Sequence, residues 1–267
     1  MDYLPAAMNA AQKAGEALLS HFHSGFSHSI TLKSDQSPVT QADIAANKII
    51  TEQLLKIDSS IPVLSEENTI PDFSIRQNWS RYWLIDPLDG TRGFIARSSE
   101  FCINIALIEN HEPILGVIYS PVNHHCFYAT KNNGAFFLDV KNKVTQKIHT
   151  SKYNSSLLHL LTGHFDHQSH FKKSLERSFK EIKITQMNSA LKFTMIARGL
   201  ADMYVRFGST SEWDTAAGQC IVVEAGGSVV DFKGNPLHYN AKSSLINPSF
   251  IAIADVSQCQ QFLRNLP

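Results

Sequence analysis

An apolar strand that ends in two closely spaced carboxylates is the segment of this sequence best suited to chemistry. Apolar residues 83–85 lead into Asp-Pro-Leu-Asp-Gly-Thr at 86–91. Because Pro87 fixes φ and Gly90 lets the backbone approach a ligand, a turn here can direct Asp86 and Asp89 to one point. Two adjacent like charges repel unless protons or metal ions neutralise them. Such oxygen ligands suit Mg²⁺, and an ordinary Asp-rich turn is the alternative interpretation.

Three further acidic segments are predicted to end a strand or begin a helix, and they contain Asp43, Glu66-Glu67 and Asp214. In layered α/β folds, functional groups collect at such positions. Each segment also has a plainer interpretation. Asp214 suits a helix N-cap, Thr40 and Asp43 suit a capping box, and the two glutamates suit a solvated strand end. If these acids meet, they form an oxygen-rich cage, and a phosphate dianion approaches such a cage only when divalent ions reverse its charge.

Composition limits the class of protein. The chain has 267 residues, of which 43% are hydrophobic and 18% are charged, so it is long enough to bury a core. A formal net charge of zero does not favour a nucleic acid polymer as partner. The four cysteines are widely spaced, which predicts reduced thiols and no zinc site. Without a secretory start or an apolar run of roughly 20 residues, a cytoplasmic location is expected.

The N-terminal half is predicted to contain two helices followed by an antiparallel meander. Apolar residues at helical spacing predict a helix from Leu4 to Phe22, and Thr40 precedes a second helix. The second helix has Ala42, Ala45, Ile49 and Leu54 available for its buried side. A polar loop is expected from 24 to about 38, and an irregular segment from 68 to 80. Strands are predicted at 61–64, 101–107, 114–119, 126–129 and 135–140, with a hairpin turn at 132–134.

The pattern changes to alternating strands and helices after about residue 150. Strands are predicted at 157–161, 182–184, 202–206 and 228–231, and helices at 171–179, 191–197 and 215–225. Two glycines after 225 end the last of these helices. The sequence therefore predicts an α+β domain over residues 1–150 and an α/β domain over residues 151–267.

Three motifs in this order resemble the lithium-sensitive, magnesium-dependent phosphatases related to inositol monophosphatase. They are Ser-Glu-Glu at 65–67, the 86–91 motif and Trp-Asp-Thr-Ala-Ala-Gly at 213–218. Segments 37–46, 82–85, 104–108, 113–119 and 245–248 are similar to the bacterial CysQ branch, the 3′(2′),5′-bisphosphate nucleotidases. The similarity extends from the first helix to about Ser249. It implies an α+β fold arranged as a layered αβαβα sandwich, with an antiparallel N-terminal sheet and a mixed C-terminal sheet.

The resemblance implies two Mg²⁺ ions per chain, with a third, weaker ion near Glu66. Glu66, Asp86 and the carbonyl oxygen of Leu88 are the expected ligands of the first ion. Asp86, Asp89 and Asp214 are the expected ligands of the second, so that Asp86 bridges the two. Lithium is expected to inhibit by taking one magnesium position with less charge.

The same resemblance implies how the attacking water is activated. Thr91 and Glu66 are expected to act on the water, while Asp43 polarises the Thr91 hydroxyl and Thr40 supports that arrangement. The backbone N–H groups of Gly90 and Thr91 are expected to receive phosphate oxygens. The residues expected to line the substrate's reacting phosphate are Glu66, Leu88, Asp89, Gly90, Thr91 and Asp214.

A second phosphate on the substrate needs a cationic partner away from the metal ions. Ser189 and Lys192 are the candidates for that distal region, and Arg206 is a weaker one. Lys192 has an alternative interpretation as a solvated helix residue, and Arg206 as an anchor for the loop 207–210. Departures from the family pattern occur at Arg92, Ser99, Glu212, 188–190 and 162–164. Because none of them is a proposed metal ligand, hydrolysis is the better supported prediction, and the changes at Asn188 and Thr162 bear on the nucleotide pocket.

The predicted activity is the conversion of adenosine 3′,5′-bisphosphate, a small phosphorylated nucleotide, to AMP and phosphate. An inositol monophosphatase or a broad sugar-phosphate phosphatase is the alternative on the same scaffold. A non-catalytic nucleotide sensor is the alternative of a different class, and the complete set of acids argues against it. Monomer and homodimer both stay open. CysQ-like proteins can associate with the cytoplasmic face of the inner membrane, and peripheral association stays open here, although the sequence shows no lipid anchor or basic amphipathic helix that requires it.

Overall fold

A computed structural model describes residues 3–24, 31–32, 38–154, 157–163 and 169–266 of the chain. For seven of these residues, 31, 32, 38, 39, 169, 170 and 172, only the backbone is described. Most of the loop predicted between 24 and 38 lies outside the described residues, as do Ser37 and His164 of the quoted motifs.

The first helix, α1, spans Leu4–His23 and confirms the predicted N-terminal helix. Its buried side consists mainly of alanines, which allow α1 to approach the neighbouring helix and sheet closely. Gly15 lies on that side, where a Cβ atom would come within 2.4 Å of the Tyr119 ring. Close packing against Tyr119 therefore requires a residue without a side chain at this position. The helix continues through Gly15 despite the low helix propensity of glycine.

The second helix, α2, spans Gln41–Ile57 and begins at Thr40 with a capping box. Its buried apolar side consists of Ala42, Ala46, Ile50 and Leu54. The predicted Ala45 and Ile49 lie at the edge of that side and are half-buried. The prediction was off by one residue at these two positions because the buried side also includes the polar residues Asp43 and Asn47, which an apolar pattern does not mark.

A seven-stranded sheet follows the helices, with its strands in the order of the chain. The strands are β3 (Val63–Ser65), β4 (Arg81–Asp89), β5 (Cys102–Glu109), β6 (Glu112–Ser120), β7 (His125–Thr130), β8 (Gly134–Asp139) and β9 (Val144–Ile148). All neighbouring pairs are antiparallel except β3 and β4, which are parallel. The predicted antiparallel sheet is therefore confirmed except at this edge, where the parallel pair brings the ends of β3 and β4 together.

Short elements complete the N-terminal half. A two-stranded antiparallel ladder joins β1 (Thr31–Leu32) and β2 (Pro38–Val39). The helix α3 (Phe73–Arg76) interrupts the segment that was predicted to be irregular, and α4 (Thr91–Ile95) follows β4. The hairpin between β7 and β8 confirms the predicted turn, in which Asn132 and Gly134 have positive φ.

The C-terminal half contains a five-stranded mixed sheet in the order β11-β10-β12-β14-β13. The strands are β10 (Leu158–Thr162), β11 (Ile182–Gln186), β12 (Met203–Arg206), β13 (Ser228–Asp231) and β14 (Phe250–Ile253). Strand β10 runs parallel to β11 and β12, whereas β14 runs antiparallel to β12 and β13. The helices are α5 (Ser169–Ser178), α6 (Leu191–Ala197), α7 (Ala216–Glu224) and α8 (Cys259–Leu263). Strands β9 and β14 and helix α8 had no predicted counterpart.

Three clusters of buried side chains confirm the layered αβαβα sandwich. One cluster joins α1 and α2 to a face of the seven-stranded sheet. The central cluster places α6 and α7 between the two sheets, and the third joins α5 and α8 to the outer face of the five-stranded sheet. The predicted domain boundary near 150 lies between the two sheets, and it stays a prediction because both sheets share the central cluster. None of the described helices is long and apolar enough to span a membrane.

Candidate active site

The ends of β3 and β4 and the start of α7 bring three carboxylates together. Glu66 follows β3, Asp86 lies near the end of β4, and Asp214 is the last residue of a 3-10 helix that precedes α7. One oxygen of each side chain lies within 4.8 Å of the others. Asp86 is buried, with 2% of its surface exposed, and the other two are half-buried. Three hard oxygen donors at this spacing have the chemistry of a divalent-cation site.

Local hydrogen bonds hold two of these acids in place. The backbone N–H of Leu88 donates to Asp86 Oδ1 at 3.0 Å. The backbone N–H of Ser211 donates to Asp214 Oδ2 at 2.7 Å, as part of a capping box for the 3-10 helix. In both cases the donor lies two or three residues from the acid. These side-chain directions are therefore fixed by short loops, which the sequence motifs encode.

Asp89 belongs to the same cavity but is held from further away. The pairing of β4 with β5 shifts its register between Asp86 and Asp89, which re-aims the strand end. Asp89 Oδ2 accepts from Asn104 Nδ2 at 3.2 Å and from the backbone N–H of Ala190 at 2.5 Å. The Cys102 thiol lies 3.8 Å from the same oxygen. Asp89 therefore links the N-terminal sheet to the loop that precedes α6.

Burial and the nearness of like charges disfavour the ionised form of these acids. Burial is the main cause that raises the pKa of Asp86 well above its usual value, and the charges of Glu66, Asp89 and Asp214 add to it. Burial, with Asp89 and Glu66, raises the pKa of Asp214 to about 8. Burial also raises the pKa of Asp89, although the charge of Lys192 opposes that shift. The cluster therefore holds either protons or cations at neutral pH.

A chain of hydroxyl and carboxyl groups runs from the cavity to the start of α2. Thr91 Oγ1 donates to the Leu88 carbonyl oxygen at 3.1 Å and lies 3.3 Å from Asp43 Oδ1. The other oxygen of Asp43 accepts from Thr40, from Oγ1 at 2.6 Å and from the backbone N–H at 2.8 Å. The capping and catalytic interpretations of this pair are therefore compatible, because one carboxylate serves both contacts.

Gly90 lies at the turn between β4 and α4 in a left-handed conformation, with φ of 96°. A Cβ atom at this position would lie 2.7 Å from the carbonyl oxygen of Glu100. Any residue other than glycine would be strained at this position, because of the positive φ and because of the close contact. Gly90 and Thr91 both line the cavity, and their contact with a phosphate stays a prediction.

The cavity has a volume of about 320 Å³ and extends from the acids to a basic end. Lys192 lies there with 4% of its surface exposed, so the solvated-helix interpretation is wrong. Its ammonium donates to the carbonyl oxygens of Met187 at 3.1 Å and Ser189 at 2.6 Å. The ammonium also lies 4.9 Å from the centre of the Tyr204 ring. Tertiary packing therefore buries a charge that helical periodicity would leave in solvent.

Two other predicted residues lie at the same end. Ser189 has a φ of 59° and lines the cavity. Arg206 also lines the cavity, and its guanidinium donates to the carbonyl oxygen of Ser209 at 3.3 Å. Arg206 thus contacts the loop that it was suggested to anchor while it faces the predicted second-phosphate region.

Several supporting residues were not predicted. Asn104 is a polar residue in the otherwise apolar first part of β5, which was a usable signal, but only the strand register places it beside Asp86. Glu100 accepts from the backbone N–H of Asn188 at 3.0 Å and so fixes the loop before α6. Ser211 had a usable signal, since Ser-x-x-Asp at 211–214 is a capping-box pattern.

Comparison with known proteins gives concordant results. The inositol monophosphatase family matches residues 2–261. A protein of Salmonella typhimurium named 3′(2′),5′-bisphosphate nucleotidase CysQ is 41% identical over 240 residues, which cover 90% of this chain and 95% of that protein.

Solved structures agree with the sequence relatives. The crystal structure of CysQ from Bacteroides thetaiotaomicron has a TM-score of 0.78 and 34% identity, and the match covers 93% of this chain and 96% of that one. An IMPase from Thermotoga maritima has a TM-score of 0.80 and 28% identity, over 99% of this chain and 96% of that one. The fold, the order of the acidic motifs and the extent of these matches together show that the chain belongs to the inositol monophosphatase family.

Proposed function

We propose that this chain is a magnesium-dependent 3′(2′),5′-bisphosphate nucleotidase that converts adenosine 3′,5′-bisphosphate to AMP and phosphate. The observation that carries the proposal is one cavity with clustered carboxylates at one end and a buried lysine at the other. A substrate with two phosphates matches that arrangement of charge. The nucleotidases named CysQ, about 40% identical over nine-tenths of this chain, support the choice of substrate.

The donor set suits two magnesium ions. Glu66, Asp86 and the carbonyl oxygen of Leu88 would hold one ion, and Asp86, Asp89 and Asp214 would hold the other. A third, weaker ion is proposed near Glu66. When bound, such ions make an attacking water more acidic and stabilise charge on the leaving oxygen. The raised pKa values of the acids agree with this proposal, because divalent cations relieve the same repulsion that otherwise favours protons.

The residues beside the cluster position the attacking water. The Thr91 hydroxyl donates its hydrogen bond to Asp43 or to the Leu88 carbonyl oxygen, so a lone pair on Oγ1 can accept a hydrogen bond from water. Glu66, which lies in the carboxylate cluster, would offer a second acceptor to the water. Thr40 holds Asp43 in the orientation that this proton arrangement needs. No cysteine or serine nucleophile is required, and no phosphoenzyme is expected.

The chain orients the substrate at both ends. The backbone N–H groups of Gly90 and Thr91 would donate to oxygens of the reacting phosphate, as N–H groups at a turn readily do. Lys192 and Ser189 would contact the second phosphate, with Arg206 beside them. Because Lys192 is already held by two carbonyl oxygens, its charge is in place before substrate arrives, which reduces the entropic cost of binding.

An inositol monophosphatase is the second candidate. It is supported by the similarity to the IMPase of Thermotoga maritima, whose fold matches over almost the whole chain. The buried lysine favours the nucleotidase, because a substrate with one phosphate has no need of a cation at the far end of the cavity.

Rates of Mg²⁺-dependent phosphate release from three substrates would test the proposal. Adenosine 3′,5′-bisphosphate is expected to exceed inositol 1-phosphate in kcat/KM by at least about tenfold, since a hydrogen bond to a charged group contributes about 1.5–3 kcal/mol. The rate with the sulfated analogue, compared with the rate with the bisphosphate, would show which of the two nucleotides is preferred. Equal or faster turnover of inositol 1-phosphate would favour the second candidate, and tight nucleotide binding without turnover would indicate a sensor. Inhibition by millimolar lithium is expected in the active case.

A cytoplasmic location is part of the proposal. All four cysteines are free thiols, and three of them are buried, which agrees with a reducing compartment. Peripheral association with the inner membrane and the choice between monomer and homodimer are separate questions, which sedimentation with and without vesicles would answer.

A further inference from the structure

We propose that Glu212 is a positioning residue that fixes the metal ligand Asp214 by anchoring a neighbouring segment of the chain. This inference rests on the proposed function, because it assigns Glu212 a role in Mg²⁺ binding. Glu212 is the first residue of the 3-10 helix Glu212–Asp214, and only 1% of its surface is exposed. A carboxylate that deep in the protein is costly unless other groups compensate its charge.

The Glu212 side chain binds the backbone of a distant segment. Its Oε2 atom accepts from the backbone N–H of Asn240 at 2.7 Å. Asn240 is completely buried and has a φ of 54°, a left-handed conformation that asparagine tolerates better than most residues. The bond to Glu212 therefore satisfies a donor that the unusual backbone conformation directs into the protein.

Asn240 carries the contact on to Arg76, at the end of α3. The guanidinium of Arg76 donates to Asn240 Oδ1, and Asn240 Nδ2 donates to the Arg76 carbonyl oxygen at 2.5 Å. Arg76 also donates to the carbonyl oxygens of Lys242 at 3.2 Å and of Ser243. Arg76 is itself 2% exposed. Arg76 and Glu212 thus both hold Asn240, Arg76 through the asparagine side chain and Glu212 through its backbone N–H.

The segment 240–247 is tied to the 3-10 helix at its far end as well. The backbone N–H of Glu212 donates to the Leu245 carbonyl oxygen at 2.8 Å. Asn247 Nδ2 donates to the carbonyl oxygen of Ser211 at 2.7 Å, and Ser211 in turn holds Asp214. The Glu212 side chain therefore holds the Asn240 end of this segment. The Leu245–Asn247 end in turn holds the backbone of Glu212 and of Ser211.

Loss of the carboxylate should therefore affect Asp214 through the backbone. Without the Glu212 carboxylate, the Asn240 end of the segment loses its tie to the 3-10 helix and keeps only its contacts with Arg76. Residues that orient metal ligands typically change metal affinity by about 10–100-fold when they are removed. The expected defect is weaker Mg²⁺ binding, with little change in the affinity for the distal phosphate.

Mg²⁺ titrations monitored by the unfolding temperature would test this, since a ligand of the native state raises that temperature without any need for turnover. Glu212→Ala is expected to raise the Mg²⁺ dissociation constant by about 10–100-fold. Glu212→Gln keeps an oxygen for the Asn240 N–H, so it should stay within about threefold of the wild type. The KM for adenosine 3′,5′-bisphosphate at saturating Mg²⁺ should change little in either variant.

Asp255→Ala is the matched control. Asp255 is also a buried acid that caps a 3-10 helix, Val256–Gln258, but that helix does not line the cavity. The control should lower stability and leave the Mg²⁺ dissociation constant unchanged. If Glu212→Ala does not fold, Glu212→Asp replaces it, because the shorter side chain keeps the charge but withdraws from Asn240.

The outcomes separate this inference from the proposed function. Wild-type protein that neither binds Mg²⁺ nor hydrolyses the bisphosphate would overturn both. Active wild type together with unchanged Mg²⁺ affinity in Glu212→Ala, or in Glu212→Asp where that replaces it, would overturn the inference alone. Equal weakening in Glu212→Gln and Glu212→Ala would also overturn it, because the bond to Asn240 would then not be what positions Asp214.

Discussion

The two ends of the cavity balance their charges in different ways. At the metal end, Glu66, Asp86 and Asp214 converge within 4.8 Å, and burial together with mutual repulsion raises the pKa of the two aspartates. At the distal end, the Lys192 ammonium donates to two carbonyl oxygens and lies over the Tyr204 ring. The metal end is thus unfavourable without a cation, whereas the distal end is already stabilised by the protein.

This difference indicates where mutations should have the larger effect. A site whose charges repel in the free protein gains most when its cation binds, so each acid matters both to binding and to the transition state. A site whose charge is already solvated by carbonyl groups exchanges one set of contacts for another, and the net gain is smaller. Catalysis should therefore depend steeply on the acids, and substrate preference more gently on the lysine.

Asp214→Asn should produce the largest effect. Loss of one electrostatic contact to the transition state typically lowers kcat by about 10²–10³-fold. Without Mg²⁺ the same variant should melt at a higher temperature than the wild type, because folding no longer has to bury an acid whose pKa rises from 3.8 to about 8. Steady-state rates and thermal melts measure the two effects. Asp231→Asn, at a turn outside the cavity, is the control for rate, and a drop of similar size there would contradict the assignment of Asp214.

Lys192→Met should have an intermediate effect and should act on substrate choice. The ratio of kcat/KM for adenosine 3′,5′-bisphosphate to that for adenosine 3′-phosphate should fall about 10–100-fold, as expected for loss of a charged hydrogen bond. Lys183→Met, on the exposed side of β11, is the control and should leave the ratio unchanged. If Lys192→Met lowers both rates equally, the lysine does not recognise the second phosphate.

The pH dependence of Mg²⁺ binding should be the next in size. Asp214 has a pKa of about 8 in the protein without metal, so it is protonated at pH 6 and must lose that proton when Mg²⁺ binds. The Mg²⁺ dissociation constant should therefore fall by up to about tenfold for each pH unit between 6 and 8, and level off above that. Titrations at pH 6, 7 and 8 would check this, and a constant affinity would contradict the raised pKa.

The same shift fixes the sign of the effect on stability. The pKa of Asp214 is raised above its ordinary 3.8, so the folded protein binds this proton more tightly than the unfolded chain does. Without Mg²⁺, stability from this group is greatest below about pH 4 and falls as the pH rises towards 8. The increase in melting temperature caused by Mg²⁺ should consequently be larger at pH 8 than at pH 6.

Thr40→Val should have the smallest effect, since it removes a support rather than a metal ligand. The variant loses the hydroxyl that caps α2 and contacts Asp43, which should lower the free energy of unfolding by about 1 kcal/mol. We expect kcat to fall by less than the loss seen for Asp214→Asn, because the backbone N–H of Thr40 still holds Asp43. Denaturant melts and rates would show it, and an unchanged unfolding midpoint would contradict the capping role.

Much of the metal end could be predicted because its geometry is local. Asp86 is oriented by Leu88, Asp214 by Ser211 and Asp43 by Thr40, each within three residues. Short turns of this kind leave readable motifs, and a turn confines its side chains to few directions. The roles assigned to these residues in metal binding and catalysis stay predictions, which the experiments above address.

The distal end was harder to predict because its contacts depend on packing. Helical periodicity could not show that Lys192 in α6 is buried, since its ammonium packs on the ring of Tyr204 in strand β12. Asn104 contacts Asp89 only because β4 and β5 pair in one particular register. The parallel pairing of β3 and β4 was likewise not predicted, because the direction of pairing follows from the connection between strands.

The sequence by itself determined which residues could hold a cation, the capping boxes that orient them, and the layered arrangement of helices and sheets. Only the tertiary structure decided that Glu66, Asp86 and Asp214 meet, how deeply they are buried and how far their pKa values shift. The physical reason is the distance along the chain between the groups that interact. Turns and caps depend on neighbours in the chain, whereas desolvation and repulsion depend on atoms that only folding brings together.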